Sequence, residues 1–423
     1  MLLKFCFRNF KSFRDDMTID FTAAKIQEFN NHVIQIGNEK ILPTAAIFGA
    51  NASGKSNVID AFNYMSEYVV YSLNYGEENT QNGRRARYNK PTPFLFDNNT
   101  QKAASYFEVC FIDSEDNGAK TYKYGFTVDS TGVQEEWLNY RSRTSRGDFK
   151  RIFYRCEGKK LDLCGIAEKY RKNIAVSLNK ETLVVSLGSK LRIEKLKKIR
   201  DWFLANEFAD FGHPIRSFFL SSITPEGFAE DENVRKKVIK YLSAFDSSIV
   251  DFKVEIIKSN DDDDEEEHIS IDAVHNMVDS NSTVTIPLQN ESAGTLKMFS
   301  LYPMFDAVMK KGGVYFIDEL NAKLHPLLVK AFIVAFLDPE VNTNHAQLVF
   351  TTHDTWQLDS EILRRDEIWF TEKNENGISR LFSLYNFLDE NGEKVRKDEN
   401  FEKNYLRGNY GAIPSIKSLD VFK

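Results

Sequence analysis

Ala45-Ala46-Ile47-Phe48-Gly49-Ala50-Asn51-Ala52-Ser53-Gly54-Lys55-Ser56 decides how this chain is read. Its first four residues are an apolar run without alternation, the pattern of a strand buried on both faces. Gly49 to Ser56 fit G-x-x-x-x-G-K-[ST], and Val58, Ile59, Phe62 and Met65 follow at helical spacing. The loop therefore leads from a strand into a helix. Gly49 and Gly54 allow the backbone, including Ser53, to close on a phosphate, with the N–H groups of the helix start aimed at it. Lys55 is expected to reach the β- and γ-phosphates and the Ser56 hydroxyl to bind magnesium. A chance match in a chain of this length has a probability of about 0.02 at average glycine usage.

Two more apolar runs lie downstream. Val314-Tyr315-Phe316-Ile317 ends in Asp318-Glu319, which suits Asp318 to magnesium coordination and Glu319 to polarising an attacking water. An apolar run ending in two acids is commonly just a strand terminus; the upstream loop gives it weight. Leu348-Val349-Phe350-Thr351 precedes His353, a position from which a histidine can sense a γ-phosphate, although a lone histidine is often structural. Glu291-Ser292-Ala293-Gly294-Thr295 opens a helix reaching Lys310, with Ser292 as cap, Gly294 permitting close approach and Pro303 expected to kink it. Alone, that segment reads as an ordinary helix start.

The 423 residues, 42% of them hydrophobic, are enough for two or three packed units. No apolar run approaches the roughly 20 residues needed to cross a bilayer. The N-terminus alternates like a strand and lacks the apolar core of a signal peptide, so the expected location is the cytoplasm. Cys6, Cys110, Cys156 and Cys164 show no metal-type pairing. A net charge of -7 counts against a bulk electrostatic nucleic-acid binder, and the basic clusters at residues 83–87 and 195–200 read as solvated faces.

Residues 1–25 read as an antiparallel strand pair, and residues 105–112, 121–128 and 152–154 as further strands between polar turns. From about Glu181 to Ser247, Leu196, Ile199, Phe203, Val234, Val238 and Leu242 recur at helical spacing. The acidic run Asp261 to Glu267 is expected to be a solvated loop between two strand-like segments.

The order of P-loop, distant Ser-Gly helix start, Asp-Glu after a strand and strand-His resembles that of ABC-type ATPases. Asn9-Phe10-Lys11-Ser12-Phe13 and the loop form with Asn51 and Asn57 resemble the SMC/RecF-like branch. Asp318 to Pro326, reading D-E-L-N-A-K-L-H-P, and Glu402 to Pro414 resemble compact AAA-ATPase-like proteins of abortive-infection and anti-phage operons, RloA/AbiL-type with relatives in Septu and PARIS systems. The resemblance implies an α/β ABC-type P-loop ATPase head, a mixed sheet with an antiparallel β portion and an inserted helical lobe. It divides the chain into residues 1–165 and 286–423 as the two parts of the head, with 166–285 as a helical and mixed insert.

The same resemblance implies ATP and Mg2+ as cofactors, with Gly49, Asn51, Ser53, Gly54, Lys55, Ser56 and Asn57 on the nucleotide. Ser292 and Gly294 would be a signature segment that meets the γ-phosphate held by a second copy, Asn321 to His325 a D-loop, and His353 the switch histidine. Gln134 is the candidate for a Q-loop glutamine. The implied activity is ATP hydrolysis by a homodimer or higher oligomer that sandwiches ATP and controls an operon-encoded effector, a nuclease, on a DNA or phage-protein trigger. Direct DNA binding in repair and an assembly module with negligible turnover are the alternatives.

Overall fold

The computed structural model describes residues 1–75, 78–79, 84–85, 89–113, 120–142, 147–258, 267–278, 280–358, 361–389 and 391–414. The P-loop strand Thr44–Gly49 is fully buried and runs parallel to Gln347–Thr351 on one side and Ile368–Lys373 on the other. Val314–Asp318 and then Glu207–Asp210 extend the sheet in parallel, and Ser379–Ser383 closes the far edge antiparallel. A second sheet is antiparallel throughout, in the order Lys150–Cys156, Gly132–Ser142, Lys120–Asp129, Ser105–Ile112, Leu2–Arg8 and Met17–Asp20. The fold is thus the expected α/β mixture of a P-loop sheet with an antiparallel portion.

Strand residues alternate between the two faces, so the parallel sheet feeds two cores. Ala45, Ile47, Val314, Phe316 and Val349 face the core shared with the antiparallel sheet. Ala46, Phe48, Tyr315, Ile317, Leu348 and Phe350 face the other, under the helices Ala293–Lys311 and Pro326–Leu337. The P-loop helix Lys55–Tyr71 lies between the two sheets and is apolar on more than one side. Phe62 shows why: its ring meets Phe5 of the antiparallel sheet at 5.0 Å and Phe316 of the parallel sheet at 4.3 Å. Truncating such a ring to alanine costs about 3–5 kcal/mol.

Residues 166–285 mix helices and strands and pack onto both cores. The helices Val184–Lys190 and Glu194–Leu204 bury Val184, Leu196, Ile199 and Phe203 in the core of the antiparallel sheet. Glu207–Asp210, inside a stretch expected to be helical, is an edge strand of the parallel sheet, where four residues carry too little periodicity to reveal it. Helix Glu232–Ser243 and a three-stranded antiparallel sheet pack onto the other core. Within that sheet Lys258 pairs with Glu267, so the strands flanking the acidic run are partners. Asp261 to Glu266 lie outside the described residues. Of the basic cluster 83–87, Arg84–Arg85 form a short strand with Glu78–Asn79.

The helix Ala293–Lys311 continues through Pro303. The tail supplies Ile368–Lys373 and Ser379–Ser383 to the central sheet. Among the described residues, no helix is long and apolar enough to cross a membrane.

Candidate functional site

Parallel strands bring their carboxyl ends to one edge, where open α/β sheets bind ligands. At this edge stand Gly49, Asp318, Thr351 and Thr371, the last paired in register with Gly49. Asp210 pairs in register with Asp318. Elements far apart in sequence thus converge on the residues singled out as a nucleotide site.

Gly49 and Gly54 adopt φ of 154° and 113°. A Cβ at Gly49 would lie 2.4 Å from the Thr371 carbonyl oxygen, and one at Gly54 2.7 Å from Ser379 Oγ. The two glycines are therefore required by the neighbouring strands before any phosphate is considered. Ser53 Oγ is 2.6 Å from Thr371 Oγ1, and Ser379 Oγ donates to the Ser53 carbonyl at 2.7 Å. Asn51 is exposed at the loop's crest, beside Ala52 at a left-handed φ of 62°.

The helix that follows starts at Gly54 with no side-chain cap and no acid in its first turn. Its first N–H groups are thereby left for an anion. Lys55 Nζ folds back to the Gly49 and Ala50 carbonyls at 2.9 and 3.0 Å. Burial lowers its pKa, while Asp318 and Glu319 pull the other way. An uncapped helix start and a buried ammonium turned onto the loop suit the phosphates of a nucleotide.

Thr351 Oγ1 donates to Asp318 Oδ1 at 2.5 Å and accepts the Glu319 amide at 2.9 Å. Burial raises the Asp318 pKa, against hydrogen bonds from Thr351 and Ser56. A carboxylate joined to a hydroxyl at the P-loop helix start is an oxygen donor set suited to magnesium. Beside it opens a cavity of about 330 Å³ whose lining includes Ser56, Asp60, Asp210, Arg216 and Asp318. Glu319 takes a left-handed φ of 54°, so its backbone turns sharply out of the strand.

His353 is exposed, and its Nε2 accepts from Asn321 Nδ2 at 3.2 Å, while Asn321 Oδ1 accepts the Thr352 hydroxyl at 3.0 Å. That pairing sets the amide's orientation and puts the imidazole proton on Nδ1. His325, at the end of the same loop, caps the helix Pro326–Leu337. Ser292 is exposed and caps its own helix through the Thr295 amide at 3.1 Å. A Cβ at Gly294 would come 3.4 Å from the Lys323 carbonyl, so the Ser292–Gly294 segment lies against the loop after Glu319.

Further contacts involve residues inside and outside the quoted motifs. Asn57 donates to Ser12 Oγ at 2.7 Å, and Lys11 pairs with Asp60 at 2.5 Å, so the Asn9-to-Phe13 turn braces the P-loop helix. Asn9 itself is buried and bonds Thr100, Ala103 and Phe94. From the tail, the Ala412 carbonyl accepts the Ala50 amide at 2.9 Å. Asp210 accepts from Arg216 at 3.0 Å. Gln134 bonds Thr131 and Gly132 in a turn of the antiparallel sheet. For Asp60, Asp210 and Arg216, outside any quoted motif, only the charge of the side chain hinted at such a partner.

The chain is similar to a solved SMC head bound to the C-winged helix domain of ScpA, at 15% identity and a TM-score of 0.42, covering 90% of this chain and 97% of that one. A Pyrococcus furiosus Smc head with an extended coiled coil, also bound to a ScpA domain, gives 14% and 0.39 over 90% and 96%. The recombination mediator protein RecF with ATP gives 12% and 0.32 over 90% and 97%. No curated protein matches the chain. Residues 45–355, from the P-loop strand to just past His353, match the family described as "AAA domain, putative AbiEii toxin, Type IV TA system". The match takes in the P-loop, both acids and the histidine over most of the chain, and the chain belongs to this AAA domain family.

Proposed function

We propose that the chain hydrolyses ATP at residues 49–56 and that two copies close on two nucleotides to do so. The observation that carries this reading is the single Thr351 hydroxyl that orders Asp318 and Glu319 beside an uncapped P-loop helix. Lys55 leaves the Gly49 and Ala50 carbonyls for the β- and γ-phosphates. Ser56 and Asp318 would hold magnesium, which would supply charge neutralisation there. Glu319 accepts the proton of a water whose oxygen attacks the γ-phosphorus as the bond to the β–γ bridging oxygen breaks. His353, oriented by Asn321, faces the γ-phosphate. Ser292 and Gly294, exposed or half-exposed at a helix start, are presented to the nucleotide of the second copy.

In this reading the ATP state of the assembly controls an effector protein, a nuclease encoded beside it, in defence against phage. The support is the resemblance of residues 318–326 and 402–414 to anti-phage operon proteins, together with a family description that names a toxin system.

The test measures turnover and assembly state for wild type, Lys55→Ala and Glu319→Gln, alone and with the product of the neighbouring gene. Glu319→Gln is expected to accumulate an ATP-bound dimer and Lys55→Ala to form none. Equal turnover in wild type and Glu319→Gln would remove Glu319 as the base. A wild-type dimer that forms with ATP but does not turn over gives the assembly module instead. Salt-dependent binding of DNA by the dimer gives the repair reading.

A further inference from the structure

Lys297 lies in the second turn of the helix that opens at Ser292, and it is 3% exposed. Its ammonium donates to three carbonyls of one loop: Glu319 at 3.0 Å, Leu320 at 2.7 Å and Ala322 at 2.9 Å. The Phe211 ring covers it, 4.1 Å from Nζ to the centroid. Phe211 follows the edge strand Glu207–Asp210, and its own amide donates to the Asp318 carbonyl at 3.2 Å.

A buried lysine is costly unless its donors are met, and here the acceptors all belong to the loop that carries Glu319. That loop needs holding. Glu319 and Lys323 both sit at left-handed φ, 54° and 62°, a conformation non-glycine residues keep only where surroundings over-determine it. From the strand side, the Thr351 hydroxyl and carbonyl receive the Glu319 and Leu320 amides at 2.9 and 3.1 Å. From the helix side, Lys297 is the grip. Next to it, a Cβ on Gly212 would stand 3.1 Å from the Glu319 carboxyl carbon, which places the Glu319 side chain against the residues after the edge strand.

We infer that Lys297 is a positioning residue for Glu319: it ties the helix that begins at Ser292 to residues 319–322 and so fixes the direction of the Glu319 carboxylate. The inference rests on the reading of Glu319 as the base for ATP hydrolysis. The tether also joins two halves of the chemistry. Ser292 and Gly294, the segment offered to a second nucleotide, share a continuous helix with the residue that holds the loop beside the chain's own nucleotide. Glu319 and Lys323 are the charged groups acting on the ammonium, with opposite sign. An amine keeps two N–H donors even when neutral, so the tether persists in either protonation state.

The experiment uses the full chain with Lys297→Met, which keeps the volume and removes the donors, and Lys297→Arg, which keeps a charged donor. Four quantities are read: amide hydrogen exchange over residues 319–324, affinity for a fluorescent ATP analogue, kcat for ATP, and melting temperature. Lys297→Met is expected to raise exchange across that loop about ten-fold or more by local opening. Its kcat is expected to fall about 100-fold while analogue affinity changes less than about three-fold, the split expected when only catalytic geometry is lost. Lys297→Arg is expected to recover part of the loss. Wild-type exchange in Lys297→Met overturns the inference, as does an equal fall of affinity, kcat and melting temperature that Lys297→Arg does not relieve. A wild type that binds the analogue without turnover would fail the ATPase reading, and the exchange data would still decide whether Lys297 holds the loop.

Discussion

Thr351 and Asp318 end adjacent parallel strands, and the Thr351 hydroxyl donates to the Asp318 carboxylate at 2.5 Å while receiving the Glu319 amide. One side chain thereby fixes both acids of the site, and it lies in the strand leading to His353. Thr351→Val keeps the shape and deletes both bonds. Such bonds to a charged group contribute about 1.5–3 kcal/mol. The variant is expected to lose stability in that range by denaturant titration and to bind magnesium–nucleotide at least about ten-fold more weakly, because Asp318 loses its orienting donor. Wild-type affinity in the variant would show that Asp318 needs no such support.

Gly54 offers a test that separates packing from phosphate contact. Its φ of 113° and the 2.7 Å approach of Ser379 Oγ to a built Cβ make alanine strained there. Gly54→Ala is expected to destabilise the nucleotide-free protein by about 1–3 kcal/mol. Pairing it with Ser379→Ala removes the closest contact but leaves Ser12 Oγ at 3.0 Å and the backbone strain, so the double variant should recover only part of the loss in thermal unfolding.

The tail props the P-loop. Tyr405 stacks on Phe370 at 5.4 Å, and its hydroxyl donates to the Ala412 carbonyl at 3.1 Å, the same carbonyl that receives the Ala50 amide. Tyr405→Ala is expected to cost about 3 kcal/mol, as for truncation of a large buried aromatic. It should also weaken nucleotide binding, measured by calorimetry. Tyr405→Phe retains the stack and isolates the hydroxyl, with an expected cost of about 1 kcal/mol.

Glu136 carries a pH signature away from the site. Burial pushes its pKa up to about 7, opposed by Arg155, the Val184 and Val185 amides and the Tyr124 hydroxyl. The folded value exceeds the unfolded 4.5, so the folded state binds the proton more tightly between the two. The stability this provides is complete below pH 4.5 and is lost as pH rises through about 7. Over that window the loss amounts to about 3 kcal/mol. Glu136→Gln should flatten this part of the stability–pH curve; an unchanged curve would refute the assignment.

Local pattern alone marks the P-loop motif, the strands that lead into Gly49 and Asp318, the chain order of Ser292, the acids and His353, and most of the antiparallel strands. These are legible because each is a local pattern: a two-residue or near-four-residue period, an apolar run, a glycine at a fixed offset. The tertiary structure decided what those residues touch. Glu207–Asp210 is too short to show a period, yet its register puts Asp210 beside Asp318. Lys297 reads as one polar residue in an apolar helix until three loop carbonyls surround it. Thr351 reads as the end of a strand until Asp318 arrives alongside, and the segment Glu402 to Pro414 reads only as a resemblance until Ala412 meets Ala50. Periodicity reports which face of an element is buried; the partner on that face is set by the whole sheet order, which joins strands hundreds of residues apart in ways local pattern does not encode.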